Sequence, residues 1–250
     1  MINFINERII FLGKCIQNLF SAIRYICAGE MRFKHVISQA ALISYDSLLI
    51  ALTISFIAAA VITIQVSKQF LMSGADSYVG GTLAIVIIRE IAPAFVALSI
   101  GARAGTSISA EIANMQVTEQ VDAIKTLKVD PVGYYFAPRI LSAAITVPMV
   151  TIIAELIGIL GGLAVAYITI ELHPHRYINS VWAWLALKDF YISIIKAFVF
   201  GILIADVCAT QGYETKGGAK EVGISTTQAA VKSTVYMLIA DFIINFVFYL

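Results

Sequence analysis

Five long apolar stretches alternate with short polar segments along this chain. The apolar stretches cover residues 44–67, 82–108, 134–170, 190–208 and 224–250. About 20 consecutive apolar residues in a helix are enough to cross the hydrocarbon core of a bilayer. The pattern therefore predicts an all-α, polytopic membrane protein with five transmembrane helices.

Prolines and glycines predict where these helices bend or end. Pro93 is expected to kink the second span. The third stretch is too long for one upright span, so Pro138 and Pro148 are expected to divide it into an interfacial piece and a tilted span. Residues 68–81, which end on two glycines, are rich in turn-forming residues and predict a loop.

Residues 1–30 have a different pattern, in which polar and apolar positions fall on separate faces of a helix. Glu7, Lys14, Asn18 and Ser21 share one face, and apolar residues cover much of the rest. This pattern predicts an amphipathic helix at the membrane interface, although a soluble helix packed on another subunit would have the same pattern. Residues 31–250 are expected to form one membrane domain.

Composition supports a membrane protein and excludes several other classes. The chain is 60% hydrophobic and 13% charged, whereas soluble domains have about a quarter of their residues charged. The net charge of +1 provides no basic field for nucleic acid. The three cysteines suggest neither a disulfide framework nor a metal site. His173 and His175 are consistent with a metal pair or with a solvated loop.

Lysine and arginine are distributed unevenly between the two sides that five spans define. The side of the N-terminus holds Arg8, Lys14, Arg24, Arg32, Lys34, Arg103, Lys125, Lys128, Arg139, Lys216 and Lys220, and the other side holds Lys68, Arg176 and Lys188. By the positive-inside rule, the N-terminus and the polar residues 105–131 are expected in the cytoplasm.

A short helix is predicted within that polar segment. Thr118 is expected to cap a helix over residues 118–127, with Glu119 in its first turn, where an anion suits the helix dipole. Val121 and Ile124 share one face because they lie three residues apart. An ordinary solvated loop helix would show the same features.

Three segments resemble the Mla-type permeases, the membrane subunits of ATP-binding-cassette (ABC) transporters that move lipids together with MCE-domain proteins. They read REIAPAFVALSIGARAG, AEIANMQVTEQVDAIKTLKVDP and GGAKEVGISTTQAAVKS, and the resemblance runs from about residue 42 to the C-terminus. The positions that fall on the family pattern are Arg89, Glu90, Pro93, Arg103, Gly105, Glu111, Met115, Val117, Thr118, Glu119, Gln120, Asp122 and Ala123. The departures are Ala92 for glycine, Gly101 and Ala102 for Ala-Gly, and Gln116 for a basic residue.

The resemblance implies a mechanism and a set of partners. Residues 118–127 would be the coupling helix that docks on an ATPase, through Thr118, Glu119, Gln120, Asp122 and Ile124. The chain would form a homodimer with two ABC ATPase subunits and a periplasmic MCE-domain protein. The membrane would be the bacterial inner membrane or an organelle envelope of bacterial origin.

No cofactor or metal is expected in this chain. It contains no Walker A sequence, so ATP and magnesium would bind to the partner ATPase. Residues 211–223 are rich in glycine but do not match a phosphate-binding loop, and they are expected to form a cytoplasmic turn.

Charged residues inside the spans are the remaining candidates for function. Arg89 lies about 10 Å into the second span, where a charge costs several kcal/mol unless it is paired or hydrated. An arginine suits a lipid phosphate, and a buried ion pair is the alternative. Arg89, Glu90 and Gln65 are therefore the candidate substrate-binding residues. Structural pairing with other helices is expected for most of Glu155, Lys196, Asp206, Lys232 and Asp241.

The expected function is that of a membrane-spanning permease subunit that moves lipids, with phospholipids as the expected class. The resemblance carries this expectation, and the capped helix in the polar segment agrees with it. An ion- or proton-coupled carrier that uses the buried charges is an alternative. A structural subunit that only anchors partners is another.

Overall fold

The structure is a computed structural model that describes residues 2–29, 31 and 33–249, with the backbone alone at residues 2–5, 7 and 46. Every regular element in these ranges is helical. The helices are α1 (Ile2–Cys27), α2 (Phe33–Met72), α3 (Val79–Val86), α4 (Ala92–Ile100), α5 (Thr106–Val117), α6 (Gln120–Thr126), α7 (Pro131–Ile170), α8 (Pro174–Trp184), α9 (Leu187–Tyr213) and α10 (Ala219–Tyr249). The predicted all-α, polytopic membrane fold is confirmed.

One continuous helical run passes through the centre of the bundle from Asp76 to Val117. A 3₁₀ turn, Asp76–Tyr78, leads into α3. Two π-helical segments, π1 (Ile87–Ile91) and π2 (Gly101–Gly105), separate α3, α4 and α5. We call this the central run. The second predicted span, residues 82–108, is therefore only the middle of a longer helix.

Six described helical stretches are long and apolar enough to cross a membrane. Five of them, α2, the central run, α7, α9 and α10, cover the described residues of the five predicted apolar stretches. Each extends beyond its predicted bounds, because helical hydrogen bonding continues past the last apolar residue into the polar flanks. The sixth is α1, from Arg8 to Cys27.

The contacts of α1 place it crosswise at one end of the bundle. Phe11 stacks on Tyr236 of α10, with ring centroids 6.4 Å apart. Lys14 forms an ion pair with Glu214, just beyond α9, and Tyr25 packs on the start of α7. A helix that meets three neighbours in turn lies across them, and its place at the membrane interface stays a prediction. We call this the α6 end of the bundle, and the opposite one the α8 end.

The third apolar stretch forms one unbroken helix, so the predicted division at Pro138 and Pro148 is wrong. Asp130 caps α7 by accepting hydrogen bonds from the N–H groups of its second and third residues, both at 3.1 Å. The hydroxyl of Ser142 lies 2.6 Å from the Pro138 carbonyl and 2.7 Å from the Val36 carbonyl of α2. Pro138 removes only the N–H that would bond the Tyr134 carbonyl, and the Ser142 contact with Val36 holds this part of α7 against α2.

The predicted loop over residues 68–81 is also much shorter than expected. Helix α2 continues to Met72, and the glycines Gly80 and Gly81 lie in α3. A Cβ atom on Gly80 would collide with the carbonyl of Tyr177 in α8. The two glycines therefore permit close helix packing rather than a turn. Ser180 of α8 accepts a hydrogen bond from the Gly81 N–H at 2.9 Å.

Close packing of the same kind fixes α9 in the centre of the bundle. A Cβ atom on Gly201 would lie 2.5 Å from the Ala143 carbonyl of α7. One on Gly212 would lie 2.5 Å from the Ser109 carbonyl of α5. Inside a membrane the hydrophobic effect does not drive helices together, so they associate through close packing. Small residues allow this packing because they let two helix backbones approach each other. In contrast, α2 and α10 keep many large apolar side chains on the outside.

Candidate functional site

Arg89 and Glu90 lie in π1, at the point where the central run departs from α-helical hydrogen bonding. Pro93 has no N–H to donate to the carbonyl of Arg89, four residues earlier. That carbonyl instead accepts a hydrogen bond from Lys196 Nζ of α9, at 2.7 Å. Short π-helical segments of this kind often occur at functional sites.

Arg89 is paired with a carboxylate that the sequence analysis did not identify. Its Nε and Nη2 atoms both lie 2.8 Å from Oδ1 of Asp189, at the start of α9. Its Cζ atom lies 4.4 Å from the ring centroid of Tyr249. The Asp189 side chain is only 2% exposed, whereas that of Arg89 is 35% exposed. The buried ion pair that is the alternative is therefore present, and about a third of the Arg89 side chain is still exposed.

Glu90 belongs to a second set of contacts, centred on Lys196. The Lys196 side chain is fully buried. Its Nζ atom lies 3.0 Å from Oε1 of Glu90 and 2.9 Å from Oδ1 of Asp241 in α10. These contacts join the central run, α9 and α10. We call Arg89, Glu90, Asp189, Lys196 and Asp241 together the charge cluster.

Gln65, the third candidate substrate-binding residue, lies outside the charge cluster. It is exposed on α2. The structure thus brings Arg89 and Glu90 together with buried partners from two other helices, and Gln65 is not among these contacts.

The other charged residues inside the spans mostly have partners on other helices, as predicted. The Ser193 hydroxyl of α9 donates a hydrogen bond to Glu155 of α7. Lys232 of α10 donates to Oε1 of Gln211 at 2.6 Å. Asp206 is different, because its buried Oδ1 atom has no hydrogen-bond partner among the described residues.

The short helix predicted over residues 118–127 exists as α6, but the predicted cap at Thr118 is wrong. The Thr118 hydroxyl donates to the Asn114 carbonyl at 2.8 Å and so helps to close α5. The helix begins at Gln120, and Glu119 precedes it in a left-handed conformation with φ of 59°. A threonine hydroxyl can bond backward to the preceding turn as readily as forward, and here the backward bond forms.

One face of α6 is fixed on the bundle, and the other is exposed. Val121 is fully buried and Ile124 is half-buried, so the apolar face that they share points inward. The exposed candidate residues are Thr118, Glu119, Gln120 and Asp122. Lys125 contacts Asp122 at 2.7 Å, and this hydrogen bond raises the pKa of Lys125. Leu127 follows the helix with 73% of its surface exposed, which provides an apolar contact point at the α6 end.

A groove of about 660 Å³ lies along the outer surface between α2 and the π2–α5 part of the central run. Arg103 and Glu111, two residues on the family pattern, line it together with apolar side chains of α2. Glu111 also accepts a hydrogen bond from Arg139 of α7 at 2.9 Å. The groove thus lies on the same helix as the charge cluster, nearer to α6.

His173 and His175 are explained by local structure. Nδ1 of His173 accepts a hydrogen bond from the His175 N–H at 3.3 Å and caps α8. His175 Nδ1 lies 3.0 Å from the amide nitrogen of Asn179. Within the part of the chain that the structure describes, no group of three or more metal-binding side chains is found.

Comparison with known proteins agrees with these features. The family model described as Permease MlaE matches residues 36–247. A probable ABC transporter permease protein of Synechocystis sp. is 34% identical over 225 residues, which are 90% of this chain and 86% of that protein. One from Rickettsia prowazekii is 35% identical over 236 residues, 94% of this chain and 91% of that protein.

A plant protein is also similar. The protein TRIGALACTOSYLDIACYLGLYCEROL 1, chloroplastic, of Arabidopsis thaliana is 30% identical over 224 residues, which are 90% of this chain and 64% of that protein. The match to the family model and the resemblance found in the motifs agree. This chain therefore belongs to the MlaE permease family and is a membrane-embedded transport permease.

Proposed function

We propose that this chain is the membrane-spanning subunit of an ATP-driven transporter that moves phospholipids between membranes. Two copies would associate with two ABC ATPase subunits, which bind ATP and magnesium, and with a periplasmic MCE-domain protein. The membership in the permease family supports a transport role. The name of the Arabidopsis relative, which is that of a galactolipid, supports a lipid substrate.

The observation that carries this proposal is the continuity of the central run. Arg89 and Glu90 lie in its first half, and α6 follows its far end after a two-residue turn. From Arg89 to Val117 the helix rises about 40 Å, at 1.5 Å per residue. A displacement of α6 by an ATPase would therefore be transmitted along one continuous helix, through π2, to the charge cluster at π1.

The charge cluster is our proposed substrate contact. Arg89 is held in position by Asp189 while about a third of its side chain is exposed. Glu90 is 44% exposed beside it. An arginine that is fixed by one carboxylate can still donate from its outer N–H groups to a phosphate oxygen. Gln65, which is exposed on α2, is proposed to contact the lipid as well.

The chain offers a matched pair of variants to test the coupling role of α6. Glu119 and Glu171 are both exposed glutamates in left-handed conformations, with φ of 59° and 52°. Glu119 lies at the α6 end and Glu171 at the α8 end. Glu119→Lys should weaken the interaction with the ATPase, while Glu171→Lys should leave it unchanged, because both variants carry the same charge change and backbone strain.

The measurement is the amount of ATPase that co-purifies with each tagged variant, together with its lipid-stimulated ATP hydrolysis. Equal retention and turnover in both variants would show that α6 is not the coupling element. Mass spectrometry of lipids extracted from the purified complex tests the substrate. Transport without any ATPase would instead favour an ion-coupled carrier, and ATPase binding without transport would favour an anchor.

A further inference from the structure

A second groove, of about 400 Å³, lies between α1 and α10 on the outer surface of the bundle. Its lining consists of Arg8, Phe11, Thr227, Gln228, Val231, Lys232, Val235 and Tyr236. It is separate from the charge cluster, because Lys232 lies nine residues before Asp241, or about 13 Å along α10. We call it the α1–α10 groove.

Regular helical spacing forms both walls of this groove. On α1, Arg8 and Phe11 lie three residues apart and therefore share a face. On α10, the residues from Gln228 to Val235 recur at intervals of three and four, which also places them on one face. The walls are thus two helix faces that combine cationic, polar and apolar positions.

The two cationic side chains of the groove, Lys232 and Arg8, differ in their contacts and exposure. Lys232 is held in place, since its Nζ atom lies 3.8 Å from the ring centroid of Phe11 and donates to Gln211. Arg8 is exposed at the rim. None of the described residues that line the groove is acidic. The groove is therefore positive, and a ligand that enters it meets a held ammonium group and an exposed guanidinium group.

The apolar side of the groove continues along the bundle. Val231 is 60% exposed and Val235 is 38% exposed. Beyond them, Leu238, Ile239 and Phe242 continue an exposed apolar surface on α10. A ligand with an anionic head and long apolar chains fits this arrangement, whereas a small inorganic anion would leave the apolar wall unused.

We propose that the α1–α10 groove binds one anionic phospholipid of the cytoplasmic leaflet as a fixed component of the protein. Its phosphate contacts Arg8 and Lys232, and its acyl chains lie along Val231, Val235 and the outer surface of α10. Anionic lipids of that leaflet attract basic side chains at the membrane surface, and arginine forms paired hydrogen bonds with phosphate. The bound lipid would fasten α1 to α10. This site is distinct from the proposed substrate contact and does not depend on which substrate is transported.

The test uses the full-length chain in its native complex, placed in nanodiscs of phosphatidylcholine with or without phosphatidylglycerol. Native mass spectrometry counts the lipids that stay bound. Arg8→Glu should lower the affinity for phosphatidylglycerol about tenfold, the factor expected for the loss of one charged contact. Arg24→Glu is the matched control, because Arg24 is also exposed on α1 but lies outside the groove.

Several outcomes would overturn the proposal. An equal loss in Arg8→Glu and Arg24→Glu would mean that only the overall charge of α1 matters. Equal retention of phosphatidylcholine would show that the groove does not require an anionic head group. Displacement of the lipid by excess inorganic phosphate would show that the groove binds phosphate and does not require a lipid. Val231→Trp, which fills the groove and keeps both cations, should also lose the bound lipid. If it retains the lipid, the groove is not the site, even where Arg8→Glu proves unstable.

Discussion

Replacement of Arg89 by alanine would leave the carboxylate of Asp189 buried without its cation. Breaking a buried ion pair from one side costs about 3–5 kcal/mol. The Arg89 side chain is 35% exposed, however, so water can reach part of the vacated space and the electrostatic cost is reduced. Loss of the contact with the Tyr249 ring adds about 0.5–1 kcal/mol. We expect Arg89→Ala to destabilise the protein by about 2–3 kcal/mol in total.

Thermal unfolding of the purified protein in detergent measures this effect. For a chain of this size, 1 kcal/mol corresponds to about 2–4 °C in the melting temperature. The expected fall for Arg89→Ala is therefore about 4–12 °C. Arg89→Lys should fall less, because an ammonium group keeps the charge but not the two parallel N–H donors.

The double variant Arg89→Ala/Asp189→Asn is the decisive comparison. It removes both charges, so most of the lost stability should return, and the two single effects should not add. Additive losses would refute the conclusion that this pair is energetically coupled. Bound lipid is then measured on the same samples. A stable double variant that has lost its lipid supports substrate contact by Arg89, whereas normal lipid occupancy would leave Arg89 with a structural role alone.

Two further predictions concern orientation and packing. In a background that lacks Cys27, the exposed native cysteine, a cysteine at Asp122 should be labelled only from the cytoplasm and one at Asp76 only from the other side. Labelling of Asp122 from outside would reverse the orientation and exclude contact with a cytoplasmic ATPase. Gly80→Ala should cost about 1–3 kcal/mol in thermal unfolding, because its Cβ atom would overlap the α8 backbone. Gly13→Ala, where no atom lies within 4 Å, should instead stabilise α1 by about 0.5–1 kcal/mol, and equal effects would contradict the packing argument.

The apolar pattern predicted the helices well because length and hydrophobicity alone decide whether a segment suits a bilayer. It failed at Pro138 and at Gly80, where tertiary contacts decide the outcome. The hydroxyl of Ser142 holds α7 against α2 beside Pro138, and the helix continues through the proline. The glycines that resemble a turn in sequence serve instead to bring α3 against α8.

The candidate site was predicted in part. Arg89 and Glu90 stood out because isolated charges in apolar segments need a partner. Asp189 was missed because it lies at the edge of an apolar stretch. A carboxylate near the start of a helix is common there, since it interacts favourably with the helix dipole, and so it did not indicate a site. A search for an acidic residue at about the same membrane depth as Arg89 would have identified Asp189. The π-helical segments could not be predicted, although Pro93 marks the place of the first one.

The π2 segment also determines how α5 is rotated about its axis. A π-helical turn holds one residue more than an α-helical turn, and each residue of an α-helix advances about 100°. The side chains after π2 are therefore out of phase, by more than a quarter turn, with those of an uninterrupted helix. If the extra residue of π2 shifted along the central run, π2 would become α-helical and a new π-helical segment would form elsewhere. The part of the central run between these two positions would then rotate about its own axis, while both ends of the run stayed in place. The central run could therefore transmit a rotation as well as a displacement along its axis between α6 and Arg89.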